Sequence, residues 1–493
     1  MKLSLFLISA LSVAAIPAAF DSATYKPLSL SRLTGNGRVN LASDPNQNGN
    51  AVDNDDYNIV PTSFKNEKNM VGHAKYVSGS IANGTITEKD APSMIQSLFL
   101  AATPTSTPTG VKDTMARANA AFSMQNTSPS GNATEPNLMA SALDMMMNGL
   151  VSDDLHNTLQ SKAAVPVFNN PPVPADKSFY TKEGNAPFSV PEEKLRSAIQ
   201  IPPTFTYGQK PALLMVPGTG ASGFETFGNT FGKLLTTTPY ADPVYISIPG
   251  NSLGDVQINA EYVAYALQYV QSITNQNLSV ITWSQGSIDV QWSFKYWPSI
   301  RNIVTDFIAI SPDFHGTRLA YLLCSGNANI NMIGCTPAVS QQAYNSRFIN
   351  RLRQDGGDAA YVPTTTVYSQ FDEIVQPQFG RQASGIIREG NGVAVSNTLL
   401  QEACRGQEGS GLYLHEGVLY SATAYALVID ALTHDGPGSI DRVRNSCSQT
   451  TPEGISDLDV VGVEALIVII LFRLLTFAPK VVREPELRDY TAN

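Results

Sequence analysis

From position 211 onward, the chain alternates short apolar runs with segments of helical period. The apolar runs are rich in β-branched residues and end in Gly or Ser: PALLMVPG, PVYISIPG, LSVITWS, TDFIAIS and PTTTVYS. Segments such as DVQINAEYVAYALQYVQSI, with apolar positions at helical spacing, lie between them. This alternation predicts an α/β fold, a mostly parallel sheet with helices on both faces, whose chemistry gathers at the carboxyl ends of the strands.

The N-terminal part of the chain has a different pattern. Residues 21 to 90 are rich in Asn, Asp, Ser and Gly with little apolar periodicity, which predicts loop or disorder. Two helix-like segments follow, APSMIQSLFLAA and EPNLMASALDMMMNGLVSDDLHNTLQSK, with ATPTSTPTG as a linker and AAVPVFNNPPVPADKSF as a second connection. We therefore predict an extension over 20–195 and a main domain over 196–493. A propeptide, a folding aid, a lid and a solvated spacer are the alternatives for the extension.

The N-terminal sequence MKLSLFLISALSVAAIPAAFDS has one lysine, a short apolar run and small residues near Ala18 and Ala19. This arrangement is typical of a secretory signal peptide, which we expect to cover residues 1–19. Four Asn-x-Ser/Thr triplets are candidate glycosylation sites: Asn83, Asn126, Asn132 and Asn277. Both features predict a secreted, extracellular protein.

Composition narrows the class of protein. The chain has 42 acidic and 32 basic residues, a formal net charge of −10, so no basic surface is expected for nucleic acid. The four cysteines, Cys324, Cys335, Cys404 and Cys447, allow three disulfide pairings in an oxidising compartment. Pairing of sequence neighbours is favoured because the loop after Cys324 is short and rich in Gly and Asn. No Cys/His spacing indicates a metal site.

Ser284 stands where the apolar run LSVITW meets the helix-compatible segment SQGSIDVQWSF. A serine at such a strand-to-helix corner is typical of a nucleophile elbow, which exposes the hydroxyl above the sheet next to a helix N-terminus. The usual pattern is Gly-x-Ser-x-Gly. Here Thr282 occupies the first glycine position, which increases crowding at the turn.

A serine hydroxyl needs a base, and the base needs an acid that orients it. In the α/β-hydrolase order, the acid follows the serine and the histidine comes last. Asp372 follows the strand-like TTTVYSQF, and His415 lies in the later loop of GLYLHEGVLY. His315 precedes Asp372, and His434 ends a helical segment where a capping or surface role is expected. We therefore predict Ser284, Asp372 and His415 as the catalytic residues.

Donors for an oxyanion are predicted at two places. The backbone N–H of Gln285 directly follows the serine, and the loop in LLMVPGTGASG places Thr219 between Gly218 and Gly220. The two glycines allow substrate to approach closely, and Thr219 can add its hydroxyl. A phosphate-binding loop is excluded because neither G-K-[ST] nor G-x-G-x-x-G is present.

Seven segments in collinear order resemble the fungal lipases of the lipase B type. They are LLMVPGTGASG, YISIPGNSLGDVQINAEYV, VITWSQGSIDVQW, PSIRNIV, ISPDFHGT, VPTTTVYSQFDEIVQPQ and LHEG, and the resemblance covers roughly residues 200–490. It implies an α/β-hydrolase with the three catalytic residues and two oxyanion positions named above. This family also carries Thr at the position of Thr282.

The resemblance also implies the substrate-binding residues. It puts Trp283 on the floor of an alcohol pocket and Asp313, Gln342 and Ile374 on the acyl side. Cys404 and Cys447 match a disulfide of the family, whereas Cys324 and Cys335 fall in a segment that is longer here. No metal or organic cofactor is implied.

The resemblance implies a secreted serine lipase or carboxylesterase. Such an enzyme hydrolyses acylglycerols or other carboxylic esters through an acyl-enzyme intermediate. The expected partners are an ester or lipid substrate and a lipid–water interface. Two alternatives stay open. One is a catalytically silent binding protein whose site the N-terminal region covers, and the other is an acyltransferase that uses alcohols as acceptors.

The segment SDLDVVGVEALIVIILFRLLTFAPK is apolar almost all round. Ser456 and Asp459 predict a capped helix start, and Pro479 predicts the stop. A transmembrane span is excluded because Glu464 and Arg473 leave only eight uncharged residues between them, against roughly twenty needed. A packed core helix and a lipid-facing helix beside the active-site mouth are the two interpretations.

Overall fold

The computed structural model describes residues 67–123 apart from 83 and 88, 138–151, 155, 159, 167–173, 177, 179–180, 183–324 and 335–492. The predicted signal peptide and three of the candidate glycosylation sites, Asn83, Asn126 and Asn132, lie outside these residues. Asn277, the fourth site, is exposed.

A seven-stranded sheet forms the centre of the fold. Its strands are β1 (Ile199–Gln200), β2 (Ala212–Val216), β3 (Asp242–Ile246), β4 (Leu278–Trp283), β5 (Val304–Ile310), β6 (Thr364–Tyr368) and β7 (Val395–Leu399), in the spatial order β1-β3-β2-β4-β5-β6-β7. All neighbours are parallel except β1 and β3. The predicted α/β fold is confirmed, and the two strands without a sequence signal are the short or partly exposed edges, β1 and β7.

The inner strands are buried along most of their length because both faces of the sheet are covered. Every residue of β2, β3, β4 and β6 is buried. The parallel register pairs Val216 with Thr282, Trp283 with Ile310, and Ile310 with Val367. The segments that follow β2, β4, β5 and β6 therefore meet at one edge of the sheet.

Sixteen α-helices are present in the described part of the chain. They are α1 (Glu67–Ala82), α2 (Ala91–Ala101), α3 (Val111–Ser123), α4 (Leu138–Met147), α5 (Glu192–Ser197), α6 (Gly223–Phe227), α7 (Phe231–Leu235), α8 (Val256–Thr274), α9 (Gly286–Tyr296), α10 (Leu319–Cys324), α11 (Pro337–Gln341), α12 (Arg347–Arg353), α13 (Leu400–Ala403), α14 (Ala422–Thr433), α15 (Ile440–Val443) and α16 (Asp457–Thr476).

The helices α1 to α4 form an N-terminal layer. The expectation of loop or disorder up to residue 90 is wrong for α1, where Met70, Ala74, Val77 and Ile81 are buried. Their spacing of four, three and four residues places them on one face of a helix. Ser78 and Ser80 are buried as well, so polar residues share the inner face of α1, which weakens the apolar period in the sequence. Helix α3 was also missed, since its buried positions are mostly small residues.

Helix α16 confirms the predicted capping pair, in which Ser456 Oγ accepts from the Asp459 amide and Asp459 accepts from the Ser456 amide. The helix packs against α2, α3 and α4 of the N-terminal layer, and Phe472 contacts Phe99 with ring centroids 5.4 Å apart. Its residues from Val463 to Phe472 are buried. Core packing, and not lipid exposure, describes α16 in this arrangement. None of the helices in the described ranges has the length and apolar character to cross a bilayer.

Two disulfides link sequence neighbours among the cysteines. Cys324 is bonded to Cys335, and Cys404 to Cys447. This is the pairing that the sequence favours.

Candidate active site

Ser284 occupies the corner between β4 and α9 with a backbone φ of +54°. A positive φ is strained for a residue with a side chain, and it persists where the surroundings enforce it. Gly286 contributes to this enforcement, because a Cβ there would lie 2.7 Å from the carbonyl oxygens of Val216 and Pro217. The corner is therefore pressed against the end of β2, as expected for a nucleophile elbow.

Thr282, which replaces the first glycine of the usual motif, is accommodated in the core. It is fully buried, and its Oγ1 lies 2.8 Å from the Oγ of Ser287, the second residue of α9. Close approach to the serine comes instead from Gly218, where a Cβ would lie 2.8 Å from both the Ser284 Cβ and the Trp283 ring. Thr282 is thus accommodated with its hydroxyl hydrogen-bonded, and the close packing at Ser284 depends on Gly218.

His415 and Asp372 form a buried hydrogen-bonded pair, with 2.7 Å between Nδ1 and Oδ2. The other carboxylate oxygen of Asp372 accepts from the amides of Ile374 at 3.0 Å and Val375 at 2.7 Å. Both oxygens are thus fixed, and the imidazole is held through Nδ1. Nε2 is left as the nitrogen that can exchange a proton with a neighbour.

The backbone of His415 is anchored as firmly as its ring. Its carbonyl accepts from Trp283 Nε1 at 3.2 Å and Ser311 Oγ at 2.8 Å, and its amide donates to Glu373 at 2.9 Å. Burial lowers the pKa of His415, but the nearby carboxylates, Asp372 foremost, outweigh burial and raise the pKa above its ordinary value. The site therefore stabilises an imidazolium when one forms.

The two predicted oxyanion positions are joined by a network of side chains. Thr219 Oγ1 donates to Gln285 Oε1 at 2.6 Å, and Gln342 Nε2 donates to both at 2.9 Å. Gln285 Nε2 in turn donates to the Ser252 carbonyl at 3.0 Å. Gln342 therefore orders both candidate donors in addition to facing the cavity.

A cavity brings these groups together. Ser284, His415, Thr219 and Trp283 line it. Apolar residues from two distant parts of the chain also line it: Leu138 of α4 and Ile467, Ile470, Leu471 and Leu474 of α16. The contribution of Leu138 had no signal in the sequence, because it depends on how the N-terminal layer docks.

Three of the four residues that the family resemblance assigns to substrate, Trp283, Gln342 and Ile374, line this cavity. Asp313 does not, since it is fully buried beside Asp289. Burial raises the pKa of Asp313 to about 7, with a further contribution from the charge of Asp372 and an opposing one from His415. Asp313 is thus absent from the cavity lining, and its assignment to the acyl side stays a prediction.

The other two candidate histidines lie outside the cavity. His315 is buried, and burial together with Arg353 lowers its pKa to about 4, so it is neutral at physiological pH. His434 is half exposed at the end of α14, 3.2 Å from Asp430 in the preceding turn. Both placements agree with a structural or surface role.

Sequence reasoning missed a group of buried acids behind His415. Glu416 and Glu464 are both buried, and Glu464 accepts from the Tyr420 hydroxyl at 2.5 Å. Burial raises the pKa of Glu416 well above its ordinary value and raises that of Glu373 to about 8. Two features of the sequence could have indicated this group: the acidic pair Asp372-Glu373 after TVYSQF, and Glu416 in the triplet HEG. Within the described residues, no group of three His, Cys, Asp or Glu side chains is arranged to hold a metal ion.

Comparison with known proteins gives two informative matches. The crystal structure of Aspergillus fumigatus lipase B superposes with a TM-score of 0.74 at 38% sequence identity and covers 85% of this chain and 99% of that one. Lipase B of Pseudozyma antarctica is 37% identical over 192 residues, which is 39% of this chain and 54% of that protein. The match thus spans about half the length of this second relative. No family model matches the chain.

Proposed function

The chain belongs to the lipase B family of fungal α/β-hydrolases, and we propose that it is a secreted serine lipase or carboxylesterase. The proposed reaction is hydrolysis of acylglycerols or other carboxylic esters through an acyl-enzyme intermediate. One observation carries the proposal: Ser284, at a corner with positive φ, lines the same apolar cavity as His415, which is paired with Asp372.

The first step is attack of Ser284 Oγ on the ester carbonyl carbon while His415 Nε2 takes the hydroxyl proton. Asp372 holds the imidazole in the required tautomer because its Oδ2 is bonded to Nδ1. The raised pKa of His415 fits this role, since the imidazolium that forms is stabilised by Asp372. His415 then gives its proton to the leaving alcohol, and water repeats the cycle to release the acid.

The negative charge that develops on the carbonyl oxygen needs donors that are already in place. We assign these to the Gln285 backbone N–H, at the N-terminus of α9, and to Thr219. In the free protein, the Thr219 hydroxyl donates to Gln285 Oε1. Substrate would take over this donor, while Gln342 Nε2 keeps its bond to Gln285 Oε1.

The apolar wall made by α16 and Leu138 suits an acyl chain, because burying methylene groups against it contributes about 0.8 kcal/mol each. This supports esters of fatty acids as the substrate class.

We further propose that the N-terminal layer, part of the extension over 20–195, covers the site. Its helices pack on α16, and Leu138 of α4 closes one wall of the cavity. Asn119 Nδ2 also donates to the Leu412 carbonyl at 3.1 Å, which ties α3 to the loop that precedes His415. A cover of this kind predicts that loosening the layer increases access to Ser284.

Secretion is supported by the two disulfides, which persist in oxidising compartments. The exposed Asn277 is available for glycosylation in that setting.

Hydrolysis of p-nitrophenyl esters of increasing chain length tests the proposed function. We expect turnover by the wild type and a loss of several orders of magnitude in Ser284→Ala, with the same circular dichroism spectrum. Ser448→Ala, at an exposed serine, is the matched control and should retain wild-type rates.

Near-normal activity in Ser284→Ala would contradict the assignment, and absence of turnover in the wild type would favour a silent binding protein. An added alcohol that diverts most of the acyl group from water would indicate an acyltransferase.

A further inference from the structure

Arg473 is the one basic residue in the last turns of the apolar helix α16, and its side chain contacts the loop that contains Thr219. Its Nη1 donates to the Gly220 carbonyl at 2.8 Å and to Glu225 Oε2 at 2.9 Å, and its Nη2 donates to Glu225 Oε1 at 2.8 Å. The Arg473 side chain is 11% exposed. Burial of an arginine is offset only by good pairing, which the two parallel bonds to Glu225 provide.

Glu225 is tied to the same loop from its other side. It accepts from the Ser222 amide at 2.9 Å, as the partner of Ser222 in the capping box of α6. Burial raises the pKa of Glu225, but the hydrogen bond and charge of Arg473 more than compensate and lower it below the ordinary value. Glu225 is therefore ionised at neutral pH, and Arg473 and Glu225 together hold the backbone from Gly220 to Ser222.

The loop requires such a restraint. Gly218 and Gly220 flank Thr219, and glycine has the greatest backbone freedom of any residue. Gly220 has a φ of +78°, and a Cβ there would lie 3.0 Å from Ile470 Cγ2, so α16 rests directly on the loop. On the opposite side, the Gly220 amide donates to the Asn251 carbonyl at 2.8 Å. Both polar groups of Gly220 are thus bonded, and Arg473 supplies the bond to the carbonyl.

We infer that Arg473, acting through Gly220 and Glu225, is a positioning residue that fixes Thr219 for transition-state stabilisation. The inference rests on the proposed function. Arg473 touches no reacting atom. It removes the freedom of the loop before charge develops on the substrate, and preorganised donors act without reorganisation at that moment. The charge that interrupts the apolar run of α16 thereby has a role.

The same helix offers a matched control. Near its N-terminus, Asp459 forms an ion pair with Lys233 of α7 at 2.6 Å, and no bond joins this pair to the 218–222 loop. Removing Lys233 breaks an ion pair that attaches α16 to the rest of the protein but leaves the Gly220 carbonyl bonded. Lys233 is 44% exposed and Arg473 11%, so this variant controls for the attachment of α16, and the comparison of kcat with KM separates positioning from a general loss of stability.

The experiment compares the full-length wild type, Arg473→Met, Arg473→Lys and Lys233→Met on p-nitrophenyl butyrate, at a temperature where circular dichroism shows each to be folded. We expect kcat of Arg473→Met to fall about 10-fold to 100-fold with KM within twofold, below the loss for deleting an oxyanion donor itself. Arg473→Lys should recover part of the rate, because lysine reaches the Gly220 carbonyl as a single donor. Lys233→Met should stay within twofold of the wild type.

The rate of labelling by a fluorophosphonate provides a second readout, since phosphonylation also develops charge on an oxygen. It should fall in parallel with kcat in Arg473→Met. If that variant does not fold, Glu225→Gln weakens the same restraint and should show the same fall in kcat.

A kcat within twofold of the wild type in Arg473→Met or, where needed, Glu225→Gln would overturn the inference, as would an equal fall in Lys233→Met. A rise in KM alone would also overturn it, since that result indicates substrate access. If the wild type neither turns over esters nor reacts with the probe, the proposed function fails, and the inference fails with it.

Discussion

The sheet region and the N-terminal layer bury apolar residues for different purposes. At the carboxyl ends of the strands, polar groups are fixed by backbone bonds, as when Asp372 accepts from two amides and the His415 carbonyl from two side chains. In the layer, the buried faces of α1 to α4 are mostly Met, Ala, Leu, Ile and Phe, and the layer meets the cavity through Leu138. The sheet supplies the chemical groups, and the layer supplies a wall.

Helix α16 is where the two regions meet, which accounts for its unusual composition. One side packs on the N-terminal layer, and another packs on the loop around Gly220 and lines the cavity. A helix covered on several sides has no need of a polar face. Two of its charged residues contact segments of the proposed site: Glu464 bonds Tyr420, which follows His415, and Arg473 bonds Gly220.

The largest expected effect on kcat comes from removing a proposed catalytic residue at the carboxyl edge of the sheet. His415→Ala should lower kcat by about 10⁴-fold to 10⁶-fold, because the base and the serine act as a unit. His434→Ala, at a half-exposed histidine of the same domain, should retain wild-type kcat. Measured rates on p-nitrophenyl esters that fall equally in both variants would remove the distinction between a catalytic and a surface histidine.

A smaller loss of kcat is expected when a methyl group is added beside Ser284 and no functional group is removed. Gly218→Ala places a methyl group 2.8 Å from the Ser284 Cβ, so the serine or the loop must shift. Displacements of this size cost about 10²-fold in rate, and we expect kcat to fall by that order. Gly254→Ala, where nothing lies within 4 Å of the added Cβ, is the control. Unchanged kcat in Gly218→Ala would show that the corner is less confined than described.

The N-terminal layer should respond in the opposite direction. Phe99→Asp buries a charge against Phe472 and loosens the layer from α16, so we expect hydrolysis of a soluble short-chain ester to rise several-fold. Leu458→Asp adds the same charge at an exposed position of α16 and should leave the rate unchanged. A fall in rate in Phe99→Asp, with the fold retained, would indicate that the layer supports the site and does not restrict access.

The smallest expected effect is on the pH dependence of stability, and it arises from Glu464 of α16, which lies near the His415 segment. Burial raises the pKa of Glu464, so the folded protein keeps a proton that the unfolded chain loses near 4.5. The stability that protonated Glu464 contributes is therefore fully present below pH 4.5 and is lost as pH rises through the raised pKa. Glu416 and Glu373 titrate in the same sense, the latter at about 8.

Urea unfolding between pH 5 and pH 8 checks this dependence. The decline should be shallower in Glu464→Gln than in the wild type, and Glu453→Gln, at an exposed glutamate, should keep the wild-type slope. An unchanged slope in Glu464→Gln would mean that this carboxyl is ionised throughout.

The fold and the three proposed catalytic residues were accessible from sequence because their signals are local. The run LSVITWSQG contains its strand, corner and helix start within nine residues, and chain order then points to Asp372 and His415. The catalytic roles themselves stay a prediction. The structure adds that the pair is bonded and that His415 and Ser284 share a cavity.

Features that depend on distant packing were not accessible. Leu138 lies 146 positions before Ser284 in the chain, and no local pattern connects them. In the sequence, Arg473 only interrupts an apolar run, because its partner Gly220 lies 253 positions earlier in the chain. The resemblance assigns Asp313 to the acyl side, and the structure shows it fully buried and not among the residues that line the cavity.

The most direct test of the account is the mapping of a fluorophosphonate adduct by mass spectrometry in the full-length protein. We predict a single adduct on Ser284 in the wild type, formed far more slowly in His415→Ala and absent in Ser284→Ala. Labelling that goes to another residue, or that is as fast in His415→Ala as in the wild type, would contradict the claim that His415 activates Ser284.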